Sequence, residues 1–181
     1  MREIVSLCLR IAHEVKGCGE GIFPEIREKN TLILGPPGSG KTTLLRDLIR
    51  CYGLAGYQVG VADERGEIAA CQGGAPQLDV GPRADVVTGM ERKPAISLLI
   101  RSMAPQVIAA DELGEEADIQ ALSEALRCGV WVLATLHGRE EGDIRRRGLG
   151  RLMAQGAFER LIVLSGAGKP PQIREAGTWD G

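Results

Sequence analysis

Aromatic residues are scarce in this chain: Phe, Tyr and Trp together make up 3% of 181 residues. Stacking platforms of the kind that hold single-stranded nucleic acid are therefore hardly available, and a formal net charge of −2 supplies no field to gather a polyanion. Nucleic acid is not expected as a partner. Cysteine is thin as well. The five thiols, Cys8, Cys18, Cys51, Cys71 and Cys128, are odd in number and form no C-x-x-C pair, which indicates neither a disulfide framework nor a zinc site and fits reduced cytosolic thiols. No apolar stretch reaches the length that crosses a bilayer, so membrane association is expected only through a partner. The opening segment MREIVSLCLRIAHEV sets Ile4, Leu7, Ile11 and Val15 among Arg10, His13 and Glu14. That is an amphipathic helix, without the uncharged core or cleavage site of a signal peptide.

What is present points to a buried sheet. Hydrophobic residues account for 44% of the chain and glycine for 25 positions; aliphatic side chains and alanine must fill the core of a chain whose length suits one domain. Residues 1–28 read as an N-terminal helix and linker, and 29–181 as the domain proper. Strands are predicted at Thr31–Leu34, Tyr57–Ala62, Val107–Ala110, Val130–Ala134 and Leu161–Leu164. Helices are predicted at Thr43–Cys51, around Ile96–Met103, at Glu116–Cys128 and over roughly 140–155. The Gly- and Pro-rich stretch from Gly66 to Thr88 yields no element, and the residues after Gly166 read as loop or a short edge strand. Strands separated by helices imply right-handed crossovers and an α/β fold, a mostly parallel sheet flanked by helices.

The run Gly35, Pro36, Pro37, Gly38, Ser39, Gly40, Lys41, Thr42 fits G-x-x-x-x-G-K-[ST], directly after one predicted strand and before one predicted helix that opens on Thr43. This is the Walker A loop. Its glycines let backbone N–H groups converge on phosphate oxygens, the helix N-terminus adds its positive dipole end, Lys41 reaches the β and γ phosphates, and Thr42 offers its hydroxyl to Mg²⁺. ATP and Mg²⁺ are the expected ligands, although the loop grips phosphates and says nothing of the base. Strand Val107–Ala110 delivers Asp111 and Glu112 to the carboxyl edge of the sheet, a Walker B pattern in which Asp111 holds Mg²⁺ and Glu112 orients and deprotonates the attacking water.

Two further clusters are expected at that edge. Thr135-Leu136-His137-Gly138 follows the neighbouring strand, and His137 reads equally as a γ-phosphate sensor or as a satisfied loop residue. Asp63-Glu64-Arg65-Gly66-Glu67 follows Tyr57–Ala62 and reads either as a water- or metal-directed acidic cluster or as a solvated turn. Arg65, Arg83 and Arg101 are candidates for stabilising transition-state charge, in cis or across a subunit boundary. Arg145-Arg146-Arg147 reads as a solvated helix face or a basic patch for a partner.

With these residues assembled, the chain resembles the ATPase domain of the stage III sporulation protein AA family, itself similar to the motor ATPases of type II and type IV secretion. The resemblance is carried in order by LRIAHEVKGC, LILGPPGSGKTTLLRDLIR, VADERGEIAA, DVGPRADVVTG, LLIRSMAPQVIAADELG and GVWVLATLHG. It implies a RecA-like P-loop fold and a cytosolic ATPase that forms hexamers and serves a membrane-embedded sporulation complex between mother cell and forespore. It also implies that Asp63 to Glu67 is an acidic box and Thr135 to His137 a histidine box, making Glu64, Glu67 and His137 active-site candidates. Such proteins carry a larger N-terminal domain, near whose end this chain begins.

Two other readings weigh against hydrolysis by a ring. A P-loop kinase lacks a glutamate directly after the Walker B aspartate, and LSGAG at Leu164 to Gly168 lies on the wrong side of Walker B for an ABC signature. A docking module switched by bound nucleotide, with little or no turnover, is the second.

Overall fold

The computed structural model describes residues 14–114, 116–146, 149–166 and 168–176. In chain order they form α1 (Phe23–Ile26), β1 (Thr31–Gly35), α2 (Lys41–Leu54), β2 (Val59–Asp63), β3 (Ala84–Thr88), α3 (Arg92–Met103), β4 (Val107–Leu113), α4 (Glu116–Arg127), β5 (Trp131–His137), α5 (Glu141–Arg146), α6 (Gly150–Ala154), β6 (Arg160–Val163) and β7 (Gln172–Glu175). The strands make one seven-stranded sheet in the order β3-β2-β4-β5-β1-β6-β7. All pairings are parallel except β6 with β7, which is antiparallel and closes one edge.

Alternation along the strands splits the interior into two cores. Leu32 and Leu34 of β1 face one side with Ile108, Val132 and Ala134, and are covered by Ile96 and Leu99 of α3, Leu122 of α4 and Leu152 of α6. Ile33 faces the other side with Val61, Ala109 and Leu133, under Leu45, Leu48 and Ile49 of α2. The central strands are thus apolar on both faces, as a parallel sheet wrapped by crossover helices requires, and each fully buried Leu or Ile contributes roughly 1.5–3 kcal/mol. Gly60 on β2 lets α3 come close: a Cβ there would sit 2.8 Å from Ile108 Cδ1 and 3.3 Å from Leu99 Cβ.

Several elements differ from the sequence-based expectation. β3 lies in the stretch that yielded no element; its residues are half-buried or exposed at the sheet edge, so the hydrophobic signal is weak. β2 starts at Val59 because Tyr57 is used in packing instead, between Tyr52 and Trp131 at centroid distances of 5.5 and 5.9 Å. The expected helix over 140–155 is two short helices, with Gly150 brought so close to Arg145 that a Cβ would lie 3.2 Å from the Arg145 Cα. β4 and β5 each run three residues further, which places Asp111, Glu112, Thr135 and His137 inside strands. The helical pattern from Ile4 to Ile11 falls outside the described residues, as do Cys8, Arg147 and Ala167 of the LSGAG run. The other four cysteines are free.

The connector before β1 is fastened to α2. Asp47, buried on α2, accepts the amides of Gly17 at 3.1 Å and Gly19 at 2.7 Å and the Arg50 Nε at 2.7 Å, while Arg50 reaches Glu20 at 2.8 Å. Burial pushes the Asp47 carboxyl up, but these hydrogen bonds outweigh it and hold the group below the usual carboxylate range. Ile22 and Ile26 join the same core as α2.

Candidate nucleotide site

The loop between β1 and α2 is shaped by backbone demands before any ligand chemistry. Gly38 and Gly40 hold φ of 73° and 93°, which favours glycine, and a Cβ built on either would meet nothing within 4 Å. The loop is therefore open at both positions. Gly35 is tighter, since a Cβ there would collide with the Ser39 hydroxyl and lie 3.1 Å from Leu164. α2 opens at Lys41 with no side chain capping its N-terminus, leaving the positive end of the helix toward the loop.

Ser39 Oγ is buried without a hydrogen-bond partner, the one such side-chain atom found among the described residues. A buried hydroxyl lacking a partner is costly, and this one belongs to the loop and packs against Gly35. The cradle fits phosphate on this count. Thr42 Oγ1 donates to Asp111 Oδ2 at 2.6 Å, so the hydroxyl and carboxylate expected to hold Mg²⁺ are side by side. No group of three or more His, Cys, Asp or Glu among the described residues forms a metal site by itself. Thr42 and Asp111 fit Mg²⁺ as a companion of phosphate oxygens and water, the usual manner in which this ion is held.

β4 and β5 meet at the Walker B position through a bulge. Ala110 pairs with Ala134 and Leu113 with Leu136, so Asp111 and Glu112 together face Thr135. The extra residue bends β4 and re-aims its side chains, and Glu112 takes φ 55°. Thr135 serves the bulge: its hydroxyl accepts the Glu112 amide at 2.8 Å and donates to Asp111 Oδ1. Thr135 is buried.

Register carries His137 beside the loop, because β5 pairs it with Gly35. Lys41 Nζ donates to Pro36 O at 3.0 Å and lies 3.0 Å from His137 Nδ1. An ammonium can only donate, so Nδ1 is the acceptor and the ring hydrogen sits on Nε2, which donates to Glu112 Oε1 at 2.6 Å. Arg65 pairs with the other oxygen of Glu112. Burial raises the Glu112 carboxyl, but the His137 hydrogen bond and the Arg65 and Lys41 charges prevail and set it below its ordinary range. Burial lowers the Lys41 ammonium, opposed by Asp111 and Glu112. A cleft of about 420 Å³ opens over these groups, lined by Pro37, Gly38, Gly40, Lys41, Thr42, Thr43, Arg65, Glu67, Glu112 and His137.

The other expected residues are distributed unequally. Asp63 is buried and turned back to cap its own loop, accepting the amides of Ile68 at 3.1 Å and Ala69 at 2.9 Å. Glu64 pairs with Arg92 at 2.7 Å, and the carbonyl of Glu67 accepts Arg46 Nη2 of α2 at 2.7 Å. Arg83 precedes β3 and Arg101 lies near the end of α3, both exposed at the opposite, amino edge of the sheet. Arg65 alone of the three arginines reaches the cleft. Arg145 is exposed on α5. Arg46 and Arg92 escaped the motif reading because both sit in helices, where an arginine in sequence looks like a solvated face.

The sequence model of the family described as "Sporulation stage III, protein AA" matches residues 1–180. Stage III sporulation protein AA of Bacillus subtilis (strain 168) is 40% identical over a 190-residue alignment covering all of this chain and 62% of that protein. Among solved structures, the VirB11 ATPase of the Brucella suis type IV secretion system, in complex with sulphate, superposes with a TM-score of 0.65 at 16% identity, covering 86% of this chain and 50% of that one. The Legionella pneumophila ATPase DotB gives a TM-score of 0.58 at 20% identity, over 80% of this chain and 43% of that one. The fold is RecA-like, and the chain spans about three fifths of the Bacillus relative's length. The chain belongs to the stage III sporulation protein AA family.

Proposed function

We propose that this member of the stage III sporulation protein AA family is a Mg²⁺-dependent ATP hydrolase acting as a secretion-type motor. The observation that carries the reading is the hydrogen-bonded line Lys41, His137, Glu112, in which a P-loop lysine and a Walker B glutamate are joined across two strands. The loop backbone from Gly35 to Thr43 and Lys41 bind the phosphates. Thr42 and Asp111 would hold Mg²⁺, which when bound would neutralise phosphate charge. Glu112, whose carboxyl its surroundings hold below the ordinary range, orients the attacking water and takes its proton. His137 keeps the Glu112 carboxylate turned toward Lys41. Glu64 and Glu67 flank the cleft on the loop after β2, and Arg65, exposed at its mouth, is placed to shift from Glu112 to a developing phosphate charge.

Family membership and the similarity to secretion ATPases support a larger assembly. The working form is a cytoplasmic homo-oligomer, a hexamer in the full-length protein, which energises a membrane-embedded sporulation complex through a protein partner. The ATPase domain is residues 29–181. Arg83 and Arg101 are exposed on the edge away from the cleft, so any part they take in hydrolysis is at a neighbour's site. Among the described residues no helix is long and apolar enough to cross a membrane.

Phosphate release measured against protein concentration tests the reading. The wild type is expected to show Mg²⁺-dependent turnover that rises with assembly, since a subunit lacking a neighbour's arginine runs about 10³-fold slower. Lys41→Ala is expected to lose nucleotide binding, and Glu112→Gln to bind Mg·ATP without turning it over. Tight binding with no turnover at any concentration, in the full-length protein too, favours the nucleotide-switched docking module instead.

A further inference from the structure

α3 begins on Arg92, whose side chain is only 10% exposed. Its guanidinium ties together three separate pieces of chain. Nη1 lies 2.7 Å from Glu64 Oε2 on the loop after β2 and donates to the Asp111 carbonyl of β4 at 3.3 Å. Nε and Nη2 donate to Asp118 Oδ1 and Oδ2 of α4 at 2.8 and 3.2 Å, a bidentate pair. Asp118 is itself buried, and its Oδ2 also accepts the Gly114 amide at 2.9 Å.

One ion pair therefore grips both ends of a four-residue segment: the carbonyl of Asp111 and the amide of Gly114. Between them lie the bulge and Glu112, held at φ 55°. A non-glycine residue in that region is strained and persists only where its surroundings over-determine it. The Thr135 hydroxyl fixes the bulge from the β5 side; Arg92 and Asp118 fix it from the α3 and α4 side. Neither residue lines the nucleotide cleft. The pair as a whole adds little net stability, because desolvation offsets the attraction, whereas removing one partner alone leaves the other charge buried and destabilises the fold.

We propose that Arg92 and Asp118 are a positioning pair that holds the Asp111–Glu112 bulge, and with it Glu64, in the geometry used for hydrolysis. This rests on the hydrolytic reading of the site. A lysine at 92 keeps the charge but lacks the planar fork that reaches Asp118, Glu64 and the Asp111 carbonyl together. A displacement of about 1 Å at the base costs on the order of 10²-fold in rate.

The test uses the charge-conserving Arg92→Lys and, separately, Asp118→Asn in the full-length protein, with steady-state ATP hydrolysis, fluorescent-nucleotide binding and backbone amide exchange. Expected are a fall in kcat of roughly 10²-fold with KM and nucleotide affinity within about threefold. Amide exchange at 112–114 accelerates while the remaining strands stay protected, and the double variant is no worse than Arg92→Lys alone because the two side chains act as one unit. An unchanged kcat in both variants overturns the proposal, as does a loss of protection spread over the whole sheet. Should the wild type itself fail to hydrolyse ATP, the hydrolytic reading falls, and exchange still decides the pair: selective loss of protection at 112–114 supports it and unaltered exchange there overturns it.

Discussion

Lys41 Nζ and His137 Nδ1 lie 3.0 Å apart although 96 residues separate them in the chain. The contact exists because β1 and β5 are neighbours in register, and it links the phosphate cradle to the Glu112 carboxylate through a single imidazole ring.

Breaking that link should move the pH profile in a defined direction. The His137 hydrogen bond helps hold the Glu112 carboxyl below its ordinary range against burial. Without it the carboxyl protonates at higher pH. His137→Ala is expected to shift the acidic limb of kcat/KM upward, and to lower the plateau by about 10²-fold, the usual scale for a misplaced base. A pH–rate series of the two proteins checks this; an acidic limb that stays in place would show that His137 does not tune Glu112.

Ser39→Ala separates folding from ligand binding by opposite signs. The hydroxyl is buried and unpartnered, so its removal is expected to leave thermal stability equal or slightly raised. If phosphate is its missing partner, nucleotide affinity falls by about 1 kcal/mol, roughly fivefold in Kd. Calorimetric titration with Mg·ADP and a thermal melt on the same variant distinguish the two effects.

Gly60→Ala tests the close approach of α3 to β2. The added Cβ would meet Ile108 Cδ1 at 2.8 Å and Leu99 Cβ at 3.3 Å, an overpacking that costs about 1–3 kcal/mol. Urea unfolding should show the lower midpoint with an unaltered slope, and nucleotide affinity of the folded fraction should match wild type because Gly60 lies near the amino end of β2, away from the carboxyl edge.

Asp47→Asn reports on how the connector is fastened. Because the folded state holds the Asp47 carboxyl below its unfolded value, the stabilisation is fully present above the ordinary carboxylate range and is lost as pH falls through the depressed folded value. The variant is expected to be about 2 kcal/mol less stable at neutral pH, the scale of a hydrogen-bonded charge, with the gap closing in acid. Denaturant melts at neutral and acid pH measure it; a gap independent of pH would place the loss elsewhere.

Much of this site was legible in one dimension. Gly35 to Thr42 spells out a loop whose glycines and lysine have few other uses, and Val107 to Glu112 spells out an apolar strand ending in acids. Local patterning sufficed because strand, loop and helix follow one another directly. β3 was not legible, since an edge strand with half-exposed residues carries little hydrophobic contrast. Arg92 and Asp118 were not legible either, because their significance comes from pairing across two helices, and no spacing along the chain records that.

The sequence by itself determined that a glycine-rich P-loop pattern joins β1 to α2 and that carboxylates lie at the carboxyl edge, because backbone geometry and strand periodicity are local properties. Only the tertiary structure decided how those carboxylates divide their work. Asp63 turns back to cap its own loop, Glu64 goes to Arg92, and Glu112 goes to His137 and Arg65. The reason is physical: a charge brought into the edge of a packed sheet must find a partner there, and which partner is within reach is set by strand order and register.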